Sequence, residues 1–334
     1  ISKQPFAEVG KRLLQMLLLI LIAWKGLRVA LDTGSFSMAV AELVNIAIIW
    51  GIASFFMEPK VQQQFVKGFD DPFLQSLLGP ITHHLALRSL APLLMDASEP
   101  AKLANSLRHL LQYRVAGVIL TSGKPPIELA KQYLRLRIPV AMINRAPDLK
   151  GVDVVNSDHF EGGALAARKL LSGGARNLVF LDAPTATFSA RRRGEGFTAS
   201  LAPMAQAGRI TWRTVQTGAA TYATGFAAAQ TLFADPKQRP DGIFCVNDVL
   251  ACGLVDGTRQ LPNLHVPQAC QIVGFDDIPM AGLSAFSLTT VHQDVDALAR
   301  SAVNCLTERM LNPGMPARTL QIPVKLVVRS TSPD

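Results

Sequence analysis

Charge and cysteine are both scarce in this 334-residue chain. Only 17% of its residues are Asp, Glu, Lys or Arg, and it has just 4 Cys. Low charge combined with 49% hydrophobic residues excludes an intrinsically disordered chain. The cysteines are Cys245, Cys252, Cys270 and Cys305, with no CxxC pair among them. That excludes a disulfide scaffold, gives no support to a zinc or redox motif, and fits a reducing compartment. HExxH, P-loop and GxGxxG patterns are absent, and the 6 His show no metal spacing beyond the adjacent His83-His84. Two neighbours on a helix cannot both face one metal. The nearest thing to a nucleophile elbow, Gly282-Leu283-Ser284-Ala285-Phe286, lacks the second glycine. No catalytic, cofactor or metal residues are therefore expected. The 24 Gly and 21 Pro follow no period, which excludes collagen-like and low-complexity classes.

What the chain does have is an apolar excess, with mean hydropathy +0.24 beside a net charge of +8. The excess is local. Residues 13–24 are apolar at eleven of twelve positions and residues 38–57 at sixteen of twenty, with Glu42 the only charge in the second run. A membrane span needs roughly 20 mostly apolar residues. The second run meets that length, whereas Lys25 and Arg28 cut the first one short. Lys3, Lys11 and Arg12 precede the first run, as the positive-inside rule places cytoplasmic residues. A membrane hairpin and a pair of buried helices both satisfy this pattern. Residues 61–334 carry a net charge of only +6, spread thinly, and contain no run of membrane length.

From residue 66 onward, short apolar runs alternate with amphipathic stretches. The runs Leu90–Met95, Val115–Leu120, Val140–Ile143, Val152–Val155, Leu178–Leu181, Gly242–Val246, Gln271–Phe275 and Leu288–Val291 read as strands buried on both faces of a parallel sheet. Phe73, Leu74, Leu77, Leu78, Ile81 and Leu85 share one helical face, which Pro80 should kink. A second helix, opened by Ser98, carries Leu103, Leu107, Leu110 and Leu111, and Gly162-Gly163 lies near the start of a third. This repetition predicts a doubly wound α/β fold with ligands bound beyond the carboxyl ends of the strands.

Those ends are polar. They read Gly68-Phe69-Asp70-Asp71-Pro72-Phe73, Thr121-Ser122-Gly123, Asn144-Arg145, Asn156-Ser157-Asp158, Thr187-Phe188-Ser189-Ala190-Arg191, Asn247-Asp248 and Gly274-Phe275-Asp276-Asp277. Carboxylates, amides and guanidinium groups bind vicinal hydroxyls or carboxylates in pairs. Asn, Asp and Ser at strand ends also serve as helix caps and turn residues. Seven such loops on one edge, with Phe69, Phe73 and Phe275 among them, predict a cleft for a polyol.

Eight segments occur in order with family spacing. They are FDDPF (69–73), RVAGVIL (114–120), IPVAMINR (138–145), NSDHFEGGALAARKLL (156–171), SARRRGEGF (189–197), DGIFCVNDVLACG (241–253), IVGFDDIPMAGL (272–283) and LTTVHQDV (288–295). From about Val66 to the end the chain resembles the effector-binding core of the LacI/GalR family of bacterial transcription regulators. The resemblance implies a type I periplasmic-binding-protein-like fold of two doubly wound parallel-sheet subdomains. By position it implies ligand contacts at Asp71, Phe73, Asn144, Arg193, Asn247 and Asp276. Arg193 would be the fork donor, Asp276 an acceptor of hydroxyl hydrogen bonds, and Phe73 an apolar face for the sugar's C–H side. Pairing of Arg193 with Glu195 or Asp248 is the structural alternative, and Arg191 and Arg192 are expected at the rim. Ala220 stands where the family often has an aromatic residue, with Tyr222 nearby.

The implied partners are a small-molecule effector (a sugar, sugar acid or nucleoside-like compound), operator DNA and a second copy of the chain in a homodimer, all in the cytoplasm. Residues 1–60 do not carry the family's helix-turn-helix, because their helical stretches are apolar throughout. Gln62-Gln63-Gln64 stand where the core's first strand should run, so the match starts inside a strand, as expected of two unrelated sequences joined near 60–66. The expected organisation is an apolar helical segment at 1–60, a first subdomain at 61–157 plus about 294–318, and a second at 158–293 plus about 319–334. A membrane-anchored or periplasmic sugar-binding receptor is the alternative function.

Overall fold

The structure, a computed structural model, describes residues 71–94, 105, 108, 115–121, 127–146, 150–183 and 187–333. They belong to a unit spanning Asp71–Asp334. The apolar segment 1–60, Gln62–Gln64 and the helix expected from Ser98 lie outside them, apart from Asn105 and Arg108, which are helical.

Strand and helix alternate as the sequence pattern requires. The elements are α1 (Pro72–Ala86), β1 (Val118–Leu120), α2 (Ile127–Arg135), β2 (Val140–Ile143), β3 (Asp153–Ser157), α3 (His159–Ser172), β4 (Asn177–Asp182), α4 (Phe188–Gln206) and β5 (Thr211–Gln216). They continue with α5 (Tyr222–Phe233), β6 (Gly242–Cys245), α6 (Asp248–Arg259), β7 (Gln271–Asp276), a 3-10 turn (Pro279–Gly282), β8 (Thr289–Gln293), α7 (Val295–Leu311), β9 (Thr319–Ile322) and β10 (Val324–Val327). They form two sheets, ordered β1-β2-β3-β9 and β10-β8-β7-β6-β4-β5. Every pairing is parallel except that of β10 with β8. β2, β3, β6 and β7 are buried along their whole lengths, which is why β2 and β6 read as unbroken apolar runs rather than alternating ones.

The chain changes sheets between β3 and β4, between β8 and β9, and between β9 and β10. The last change corrects the boundary expected at about 318. β9 adds in parallel to β3, with Asn156 opposite Gln321, so residues 319–322 belong to the first sheet and Pro323 marks the crossing. The strand expected at Leu90–Met95 is also absent among the described residues. Leu90–Leu94 is irregular, with Leu93 54% exposed. Pro92 lacks the N–H that a ladder in mid-run requires. α1 is continuous through Pro80.

Two close helix crossings set the second half of the fold. Gly163 of α3 lies against the Arg193 carbonyl of α4, and Gly196 of α4 lies against the Phe160 carbonyl of α3; a methyl at either would overlap that oxygen. Gly225 of α5 and Gly253 of α6 make the equivalent contacts with the Leu250 and Tyr222 carbonyls. Gly163→Ala is therefore expected to cost at least ~1–3 kcal/mol, the usual range for overpacking. A urea midpoint indistinguishable from that of the parent chain would contradict this contact.

Beneath these helices, Phe180 stacks on Phe244 at 5.2 Å, and Phe244 approaches Phe197 at 5.3 Å and Phe275 at 6.4 Å between ring centroids. The row of rings ends at Phe275, which forms the floor of the site described next.

Candidate ligand-binding cleft

The polar strand ends do two jobs. Asp71, Asp158, Thr187, Asn247 and Asp294 are helix caps, each side chain accepting from a backbone N–H in the first turn of α1, α3, α4, α6 and α7. Asn144, His159, Arg193, Asp276 and Gln293 cap nothing. They meet one another.

Asn144 follows β2 in the first sheet, and Asp276 and Gln293 end β7 and β8 in the second. His159 opens α3, and Arg193 sits in the second turn of α4. All five are at most 8% exposed. Asn144 Nδ2 donates to Gln293 Oε1 at 2.9 Å, and Gln293 Nε2 donates to Asp276 Oδ1 at 2.7 Å. Arg193 Nη2 donates to the same oxygen at 3.0 Å, while its Nε points at His159 Nδ1 at 3.4 Å. His159 Nε2 closes the ring on Asn144 Oδ1 at 3.1 Å.

The directions of these bonds follow from chemistry. A guanidinium only donates, so His159 Nδ1 accepts and its Nε2 carries the proton that goes to Asn144. Asn144 Oδ1 also takes the Ser157 N–H at 2.9 Å, which fixes its amide with nitrogen toward Gln293. Arg193 Nη1 donates to the Val246 carbonyl, and the guanidinium lies 3.6 Å from the centre of the Phe275 ring. Asp276 Oδ2 takes no hydrogen bond among the described residues. It is the carboxyl oxygen the site leaves open.

Burial dominates the electrostatics. It pushes the Asp276 carboxyl up to about 8, against the pull of Arg193, and the buried Asp248 carboxyl up to about 6. It also lowers Arg193, with Asp276 opposing, but a guanidinium starts so high that it stays charged. His159 is held well below 6.5 by burial and then by Arg193, Arg145 and Arg192, so it is neutral. Asn144 has φ 54° and Asp276 φ 120°, the left-handed region that side chains rarely adopt. Such strain clusters at binding sites and costs on the order of 1–3 kcal/mol per residue.

The neutral His159 makes a pH prediction. The unfolded chain takes up a proton near pH 6.5 that the folded chain refuses, so this residue's contribution to stability is lost as pH falls below that value. The stability difference between the parent and His159→Gln should therefore shrink from pH 7 to pH 5, by up to ~1.4 kcal/mol per unit. Parallel stability curves for the two proteins would refute a buried neutral imidazole.

Of the six residues implied by the resemblance, the structure joins Asn144, Arg193 and Asp276. Asp71 caps α1 and Phe73 is packed in the core, while Asn247 caps α6 and donates to the Ala220 carbonyl at 3.3 Å. None of these three enters the ring. Arg193 pairs with Asp276 rather than with Glu195 or Asp248. Glu195 instead takes the rim residues Arg191 and Arg192. His159 and Gln293 carry little signal in the sequence. Both lie inside matched segments, NSDHFEGG and LTTVHQDV, where a polar residue at or just beyond a strand end is their only signal.

Comparison with known proteins gives this geometry its relatives. The model of the periplasmic binding protein-like domain matches residues 167–332. The ribose operon repressor of Escherichia coli K12 is 28% identical over 267 residues, 78% of this chain and 79% of its own length. The PurR transcriptional repressor of Mannheimia succiniciproducens is 27% identical over 237 residues, covering 70% of this chain and 69% of that protein. A LacI transcriptional regulator from a Rhodococcus species superposes with TM-score 0.69 at 27% identity, over 79% of this chain and 96% of its own. The described unit is similar to the effector-binding core of LacI/GalR-type regulators. A LacI-family regulator from Enterococcus faecalis, solved with bound ribose, shares the fold at TM-score 0.70 and 23% identity, over 79% of this chain and 95% of its own. Among the described residues, no helix is long and apolar enough to cross a membrane.

Proposed function

We propose that this chain is a ligand-responsive transcription regulator whose core binds a sugar or related small polar effector between its two sheets. The observation that carries the reading is the closed ring of buried side chains. It takes Asn144 from the first sheet, Asp276 and Gln293 from the second, and His159 and Arg193 from the helices beside them. A hydroxylated ligand satisfies such groups by exchanging hydrogen bonds with them. A hydroxyl exchanges a hydrogen bond with Asp276 Oδ2, ring or hydroxyl oxygens accept from Arg193, and the Phe275 ring floors the site. Asp71, Phe73 and Asn247, the other positions implied by the likeness, complete the proposed contact set.

Bonds that span two sheets also supply the switch. A ligand that binds better to one arrangement of the sheets shifts the population toward it, and in a homodimer that shift moves the DNA-binding heads. Sugar recognition is in line with the name of the ribose operon repressor, and repression with both curated relatives. A role as a non-catalytic cytoplasmic regulator follows from the same likeness and is favoured over a membrane-anchored receptor.

The test is a thermal-shift panel of neutral sugars, sugar acids and nucleosides. At least one class is expected to raise Tm in a concentration-dependent way. No shift from any of them at millimolar concentration would overturn the reading.

A further inference from the structure

One cation on this edge lacks the partner its neighbours have. Arg193 is matched by Asp276, Arg191 and Arg192 by Glu195, and Arg329 by Asp277. Arg145, directly after Asn144 at the carboxyl end of β2, forms no ion pair among the described residues. Its Nη1 donates to the Asn144 carbonyl at 3.0 Å and its Nη2 to the Thr121 carbonyl, while Nε is buried with no partner. Asp71, the nearest acidic influence on it, is exposed and has one carboxylate oxygen engaged in capping α1. The position itself is built. Asn156 Oδ1 accepts from the Arg145 N–H at 2.9 Å and Asn156 Nδ2 donates to the Arg145 carbonyl at 3.0 Å. Ser157, next to Asn156, is 2% exposed and its hydroxyl also has no partner.

Arg145 is half-buried, and partly withdrawing a guanidinium from water has a cost that an anion at its open side would offset. Two backbone carbonyls are a weak substitute, and a hydrophobic residue would fill the same space without that cost. We infer that Arg145 is a specificity residue, and that the effector of this chain is a polyol bearing an anionic group, a carboxylate or a phosphate, which pairs with the Arg145 guanidinium and the Ser157 hydroxyl. The inference rests on the cleft proposed above and deepens it. Arg193, Asp276 and the rest of the ring hold the polyol, and Arg145 reads the charge.

The test uses the full chain and matched probes titrated by calorimetry at low and physiological salt: D-ribose, D-ribonate and D-ribose 5-phosphate, with the same series built on glucose. In the parent chain an anionic member is expected to bind at least tenfold more tightly than its neutral counterpart, with an advantage that falls as salt rises. Arg145→Gln should remove that advantage and leave the neutral sugar's affinity within about twofold. Arg145→Met, which keeps the stem and removes every donor, should behave alike if the variant with glutamine folds poorly. Neutral sugars binding as tightly as their acids, or both losing affinity equally on substitution, would overturn the role of Arg145 and leave the cleft intact. No binding by any probe would overturn both.

Discussion

Arg193→Met is expected to abolish the effector response while leaving a folded protein. The substitution keeps an apolar stem over Phe275 and removes the donors to Asp276, Val246 and His159. Hydrogen bonds to charged groups are worth ~1.5–3 kcal/mol each, so losing two to the ligand weakens binding by ~100-fold or more. The fold tolerates the loss because burial already pushes the Asp276 carboxyl up to about 8. Without the guanidinium it remains protonated at neutral pH and leaves no bare charge. The unmet Val246 carbonyl costs about 1–3 kcal/mol. Thermal shift and circular dichroism on one preparation check both halves. A variant that keeps the parent's ligand shift would remove Arg193 from the site.

Arg309→Met has the opposite profile, a large loss of stability with no direct part in binding. Asp153 opens β3 at 1% exposure. Arg309 of α7 holds it from two sides, Nε to Oδ2 at 2.8 Å and Nη2 to Oδ1 at 2.7 Å, and the Arg318 N–H adds a third bond at 2.8 Å. Burial pushes this carboxyl up, but the bonds and charges of Arg309 and Arg318 bring it below its ordinary value. A depressed carboxyl contributes stability above its unfolded value, and that contribution is lost as pH falls through the folded one. Removing Arg309 strands the carboxylate, for which ~3–5 kcal/mol is typical of a buried pair with one partner deleted. The Arg309→Met/Asp153→Asn double variant should recover part of that loss. A single-variant urea midpoint within error of the parent would show that the pair carries no stability.

The elements most legible in the sequence are those buried on both sides. β2, β6 and β7 show as apolar runs because helices cover both faces of their sheets. β5, β9 and β10 do not show as strands in the sequence. They alternate exposed and half-buried residues, and Thr211–Gln216 and Thr319–Ile322 look like loop in composition. The Leu90–Leu94 run has the right composition for a strand, but Pro92 breaks it.

The site was legible by position rather than by role. Reading the strand ends located the cleft edge, and the likeness to a known family located Arg193, Asn144 and Asp276. Whether an Asp or Asn there caps a helix or faces a ligand depends on the backbone. Asn247 and Asp71 have extended backbones that turn their side chains onto the next helix, whereas Asn144 and Asp276 have positive φ that turns theirs away. His159 and Gln293 have no local signature because their meaning comes from partners 34 and 149 residues away. No spacing rule reaches that far.

Asp276→Asn tests the central claim, that the buried ring is the effector site, most directly. Asn keeps an oxygen for Arg193 and Gln293 and tolerates positive φ as well as Asp does. It removes the carboxylate whose raised value makes the folded state progressively less favourable as pH climbs from about 4 toward about 8. Paired melting curves at pH 7.5, with and without the panel compound that most stabilises the parent, are the measurement. The account predicts a Tm for the free variant at or above the parent's, with the ligand shift lost. A variant that melts with the parent and keeps the parent's ligand shift would contradict it.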